Sequence, residues 1–300
     1  MLTSITIDRV EPFADGREFG VTGAYERVVG RASGEIDPED PRNAVIAGID
    51  KAPLNAHGRV EYDTDLYLLR PKDLSRGNGT LLYEVNNRGR KMILPWLNES
   101  PADAATPGGI NDPSTVAHAG TGFVFRHGLT LVWCGWDPDA PSTVNGLSIR
   151  VPVATEAGRP IVRMIREELV SGARSPASAT FRLSYASDTT DTSRARLTSL
   201  RFERDERRPL APGDWAFEND RTIALTARDH DKPRPGWLYE IHYPAKNPKI
   251  IGIGLAATRD FISFLRNGGT DTEGAPTLGQ QRYTHALAIG ISQGGRYLRD

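Results

Sequence analysis

Cysteine is almost absent from this chain: Cys134 stands alone among 300 residues. That excludes an intrachain disulfide framework and any structural zinc site built on cysteines. Net charge is equally scarce. The 37 basic and 38 acidic side chains leave a formal charge of −1, so no electrostatic pull toward nucleic acid or an anionic membrane is expected. The densest basic run, Arg204 to Arg208, is interrupted by Asp205 and Glu206 and reads as a solvated face. No stretch approaches the roughly 18 consecutive apolar residues of a spanning helix. The first residues, Met-Leu-Thr-Ser-Ile-Thr-Ile-Asp, lack the positive start and apolar run of a secretory leader, which makes cytoplasmic residence the expectation. What remains is an ordinary globular composition, 38% hydrophobic and 25% charged, long enough for one large domain or two medium ones.

Strand patterns dominate the first third. Val28–Arg31, Val45–Ile49 and Tyr62–Leu69 are short, β-branched or aromatic, and bounded by Gly, Pro, Asn and Asp. Thr80–Val85 runs directly into Asn86-Asn87-Arg88-Gly89, and Leu129–Cys134 is apolar almost throughout, the pattern of a strand buried on both faces. Gly254–Asn267 carries Leu255, Phe261, Ile262 and Leu265 at helical spacing and stops at Gly268-Gly269. A shorter helix fits Lys91–Asn98. Between about Pro141 and Pro248 the segments Phe181–Tyr185, Arg196–Glu203 and Thr222–Thr226 alternate between polar turns, which predicts a β-rich insertion. Thr284–Ile289 is the last strand candidate.

That strand leads into Gly290-Ile291-Ser292-Gln293-Gly294. The Gly-x-Ser-x-Gly pattern has a mechanical meaning. The serine occupies a tight strand-to-helix turn that lifts its hydroxyl clear of the sheet, and side chains at the flanking glycines would collide with the neighbouring strand and helix. Ser292 is therefore the candidate nucleophile. Acyl transfer also needs N–H donors for the developing oxyanion. One is expected from Gln293, the other from the loop after an earlier strand, where Asn86, Asn87 and Arg88 stand in the right order along the chain. The same residues also read as a simple turn, since Asn and Gly tolerate left-handed backbone. Arg88, Arg90 and Lys91 either favour an acidic substrate or are solvated surface charges.

Three segments, Tyr83–Lys91, Gly254–Arg266 and Gly290–Asp300, resemble marker segments of the bacterial alpha/beta hydrolase domain-containing proteins. Gly30–Pro38, Gly58–Tyr62 and Arg70-Pro71 are similar to the N-terminal region of that family. The resemblance runs from near residue 9 to the last residue, and the elbow with Arg296 is its most specific part. Gly294 departs from it, because the family often has a small hydroxyl residue there. The resemblance implies an α/β class, an α/β-hydrolase-like, mostly parallel sheet flanked by helices, as one domain with an N-terminal β region and the β-rich insertion. It also implies a serine nucleophile and a small-molecule ester substrate; on this reading the sequence shows no motif that calls for a cofactor or metal.

In that superfamily the triad runs serine, acid, histidine, whereas this chain ends eight residues after Ser292. The expectation is an incomplete triad, an incomplete sheet, little turnover, and self-association through an uncovered sheet edge. His57, His118, His127, His230, His242 and His285 all precede the serine. His285, at the far end of the elbow strand, is expected roughly 23 Å away. Two other readings compete. One is a non-catalytic fragment. The other takes Gly252-Ile-Gly-Leu-Ala-Ala257 as a dinucleotide fingerprint with Asp271 and Glu273 about 20 residues on, which would make a nicotinamide or flavin oxidoreductase. Trp96, Trp133 and Trp136 either line a pocket or fill the core.

Overall fold

The computed structural model describes residues 1–101, 109–141, 146–171, 180–225, 236–267, 278 and 283–299. The chain divides into two compact units, Met1–Pro152 with Ile250–Asp300, and Val153–Lys249. The first unit opens with three long strands, β1 (Leu2–Pro12), β2 (Tyr25–Ile36) and β3 (Val60–Pro71). After β4 (Thr80–Val85) come three short helices, α1 (Ile93–Asn98), α2 (Val116–Ala119) and α3 (Phe123–Arg126). Then follow β5 (Thr130–Cys134) and the two-residue β6 (Ile149–Arg150).

The second unit is built from antiparallel strands. They are β7 (Thr155–Glu156), β8 (Arg159–Pro160), β9 (Val162–Val170), β10 (Thr180–Arg182), β11 (Ala186–Ser187), β12 (Arg196–Leu200), β13 (Arg208–Pro209), β14 (Trp215–Asn219), β15 (Thr222–Leu225) and β16 (Leu238–Lys246). β16 is the spine, pairing with β9 on one edge and with β11 and β12 on the other. Trp215, Ile223, Tyr239, Ile241 and Tyr243 form the core of this unit. Glu240 is buried there beneath Arg166 and Arg207, at 2.6 and 3.2 Å.

The chain then returns to the first unit with α4 (Ile253–Asn267), β17 (His285–Gly290) and α5 (Gln293–Arg299). The sheet of this unit has the order β1-β2-β3-β5-β4-β17, with β6 on β3. β4 pairs in parallel with β5 and with β17; every other pairing is antiparallel.

The mostly parallel, α/β-hydrolase-like sheet expected above is thus corrected. Strand accounts for 40% and helix for 21% of the described residues, and the sheets are mixed or antiparallel. The reason lies in the connections. Parallel neighbours need a crossover helix, and only the steps into β5 (α1 to α3) and into β17 (α4) supply one. β1 to β3 instead form a long ribbon with alternating burial, while β4 and β5 are buried almost throughout.

Side-chain alternation sends the two sheet faces to different partners. Tyr67, Leu69, Leu131 and Trp133 pack with Phe13, Phe19, Phe125 and Ile93 in one core. On the other face, Tyr83 and Cys134 reach Thr258 of α4. α4 buries Ile253, Ala257, Phe261 and Leu265 at steps of four, and Leu255 is exposed instead of joining them. Val45–Ile49 is turn and 3-10 helix, not strand, with Val45 out in solvent. No helix among the described residues is long and apolar enough to cross a membrane.

Candidate active site at the ends of β4 and β17

β17 ends at Gly290 and α5 begins at Gln293, so the chain reverses within two residues. Ser292 absorbs the reversal with φ of +58°, a left-handed conformation that is strained for a residue with a Cβ. A Cβ on Gly290 would lie 2.2 Å from the Gly294 carbonyl oxygen, and one on Gly294 would lie 2.3 Å from that of Val85. Both glycines are therefore required, the first by the helix and the second by the neighbouring strand. Ser292 is exposed, and its hydroxyl has no hydrogen-bond partner among the described residues.

β4 lies parallel to β17 with Val85 opposite Gly290, so the loops that follow leave the same end of the sheet. After Val85 the chain makes a tight turn. Asn87 N donates to Arg90 O (3.0 Å) and Arg90 N donates to Asn87 O (3.1 Å). Arg88 and Gly89 between them have φ of +50° and +79°. Two central residues with positive φ define a type I′ turn. It is stitched to the elbow at two points: Asn87 Nδ2 donates to Ile291 O (3.4 Å) and Arg88 Nε donates to Gln293 Oε1 (3.3 Å).

The structure gives the four expected oxyanion residues different roles. Asn86 is fully buried and committed. Its Nδ2 donates to Cys134 O (2.7 Å), its Oδ1 accepts from Gly89 N (2.9 Å), and its carbonyl accepts from Trp136 Nε1 (2.8 Å). It braces the turn. The Asn87 N–H is spent inside the turn. The backbone N–H groups of Arg88 and Gln293 are left without a partner among the described residues.

Beneath the loop sit two buried ionisable groups, Glu84, for which the sequence suggested no role, and Lys91, expected at the surface or at an acidic substrate. The Glu84 carboxylate accepts from Met92 N (2.7 Å), Ile93 N (3.0 Å) and Trp133 Nε1, tying the far end of the loop back to β4. Burial raises its pKa to about 7, against the lowering effect of those donors and of Lys91. Lys91 is buried rather than on the surface. Its ammonium donates to Asn111 O and lies 4.2 Å from the Tyr67 ring centre, and burial lowers its pKa to about 7. An acid inside the otherwise apolar strand Thr80–Val85 was the signal available. Trp136 was also underread: it meets the Tyr297 ring of α5 edge-on at 5.1 Å and holds the Asn86 carbonyl. Trp133 is core, and Trp96 is exposed.

No histidine bonds to Ser292 among the described residues. Burial lowers the pKa of His118, whose Nδ1 accepts from the Ser114 and Thr115 N–H groups. His242 pairs with Glu240, and His127 packs on Phe123. His285 opens β17, six residues of strand from the elbow, and contacts Thr284; His57 is exposed. His230 lies outside the described residues. Cys134 is no alternative nucleophile, because burial pushes its thiol up to about 11. No cluster of His, Cys, Asp and Glu suited to a metal occurs among the described residues.

The dinucleotide fingerprint has a different explanation. A Cβ on Gly254 would lie 1.9 Å from Trp136 O, so the close approach this glycine permits is to the chain itself. The segment before α4 is turn rather than strand, and Asp271 and Glu273 lie outside the described residues. Comparisons with protein-family models, curated proteins and solved structures find no match to this chain.

Proposed function

We propose that this protein is a serine hydrolase of esterase type, acting through Ser292, with the N–H groups of Gln293 and Arg88 as oxyanion donors. The supporting observation is the strained serine itself, at φ of +58° between two glycines that have no room for a side chain. Backbone strain of this kind clusters at functional sites, and here it coincides with the glycine sterics of a strand-to-helix elbow. The resemblance of three segments to the alpha/beta hydrolase domain-containing proteins belongs to the same proposal.

In the reaction, Ser292 Oγ attacks the ester carbonyl carbon and its proton passes to a base. The carbonyl oxygen takes the negative charge against the two N–H groups. Collapse expels the alkoxide, which leaves as the alcohol with the base's proton, and water then releases the acid from the serine. The substrate is a small-molecule ester and the chemistry calls for no cofactor. Cytoplasmic residence is part of the same proposal.

Because no base bonds to Ser292 among the described residues, the 300-residue chain is expected to hydrolyse p-nitrophenyl butyrate at close to background rate. Where a base does reach Ser292 the protein should turn the ester over, and Ser292→Ala should then cost about 10³-fold or more. Enzymatic turnover that survives Ser292→Ala would remove the serine from the mechanism.

A further inference from the structure

Arg88 occupies the first central position of the type I′ turn at φ of +50°, where Asn, Asp or Gly is the low-cost choice. A long cationic side chain in a disfavoured backbone conformation has to be explained by what the side chain does. Its Nε reaches Gln293 Oε1, which fixes the guanidinium beside the residue that follows the nucleophile. Two more arginines accompany it. Arg90 closes the same turn, and Arg296 lies one helical turn beyond Ser292, its N–H donating to Ser292 O at 3.2 Å. All three are exposed.

None of the three is neutralised among the described residues. Elsewhere in the same unit Arg31, Arg42 and Arg59 find acids, in Asp8, Asp40 and Asp37, whereas the exposed Arg17, Arg76, Arg126 and Arg266 have no ion pair among the described residues. What sets Arg88, Arg90 and Arg296 apart is that they share the two segments beside Ser292. In a chain of net charge −1, three uncompensated guanidiniums on the two segments that flank one serine are a local concentration of positive charge. Guanidinium is also the side chain best suited to grip a carboxylate with two parallel hydrogen bonds.

We propose that Arg88, supported by Arg90 and Arg296, selects esters that carry a free carboxylate, such as half-esters of dicarboxylic acids. The assignment rests on the serine-hydrolase reading for its meaning, but the anion site is testable without catalysis. The probes are monomethyl glutarate and dimethyl glutarate, which differ by one charge, titrated into the 300-residue chain and followed by protein NMR.

The half-ester is expected to bind about tenfold more tightly than the diester. Arg88→Gln should remove about five- to tenfold of that preference, read as the ratio of half-ester to diester affinity measured on the same variant. Arg88→Lys should restore part of it, and added salt should weaken the half-ester alone. Equal binding of the two esters, a preference that survives Arg88→Gln, or failure of both to bind would each overturn the proposal. Half-ester binding that depends on Arg88 in a protein whose Ser292 is never acylated would keep the anion site and discard the hydrolase. Acylation of Ser292 with no preference between the esters would do the reverse.

Discussion

At the scale of single residues, the left-handed backbone of Ser292 makes a prediction that separates strain from chemistry. Alanine at this position keeps the Cβ and therefore keeps the strain, whereas glycine relieves it. Ser292→Gly is expected to be more stable than Ser292→Ala by about 1 kcal/mol, which is the left-handed penalty less the extra chain entropy of glycine. Chemical denaturation of the two variants measures the difference directly, and a less stable glycine variant would mean that the turn stores no strain. Gly290, Ser292 and Gly294 were legible in the sequence because the pattern encodes sterics at fixed spacing. The N–H groups proposed as oxyanion donors were only half legible. Which N–H groups stay free depends on the turn type, and the I′ geometry uses the N–H of Asn87 while exposing that of Arg88. Asn86 resembles a ligand-facing residue in the sequence and is a buried brace in the structure.

At the scale of elements, the site is a consequence of β4 and β17 being parallel neighbours in register. Each ends where the other ends, so the turn after one faces the elbow after the other. These two strands and α4 were visible as apolar runs and helical spacing. The antiparallel ribbon of β1 to β3 was not legible, because alternation over short windows marks a strand without saying which way its neighbour runs. The segment before α4 misled in the other direction. Gly252 and Gly254 matched a cofactor motif, yet the tight approach they permit is to Ile46 and Trp136.

Among the described residues β17 is the last strand on its side of the sheet, with Leu287 exposed on it. An apolar edge strand with free backbone groups is a template for pairing with another chain. Concentration-dependent self-association is therefore expected in sedimentation experiments on the 300-residue chain, and Leu287→Lys should suppress it. A protein that stays monomeric at high concentration would show that this edge is protected.

At the scale of the molecule, stability should carry the mark of the buried pair under the loop. Burial raises the pKa of Glu84 from 4.5 to about 7, so between those values the folded state holds more protons than the unfolded one, and stability falls as pH rises. Burial lowers the pKa of Lys91 from 10.5 to about 7. Between about 7 and 10.5 the unfolded state holds more protons, and stability rises with pH. The pair therefore places a minimum near neutrality in its own contribution. Lys91→Met should flatten the alkaline rise when Tm is followed from pH 7 to pH 10, and an unchanged rise would assign it to other groups. The burial of neither group was legible, because Glu84 is satisfied by donors from Met92, Ile93 and Trp133 and Lys91 by the Asn111 carbonyl, contacts that only the folded loop creates.

The central claim is that Ser292 and its two N–H donors are assembled while the proton acceptor is missing from the described residues. Incubation with p-nitrophenyl acetate, with and without imidazole as an added base, followed by peptide mass mapping, tests it most directly. The expected result is a single acetyl group on the peptide containing Ser292, formed much faster with imidazole and absent in Ser292→Ala. Acetylation spread over other residues, or rapid acylation of Ser292 that imidazole does not accelerate, would contradict it.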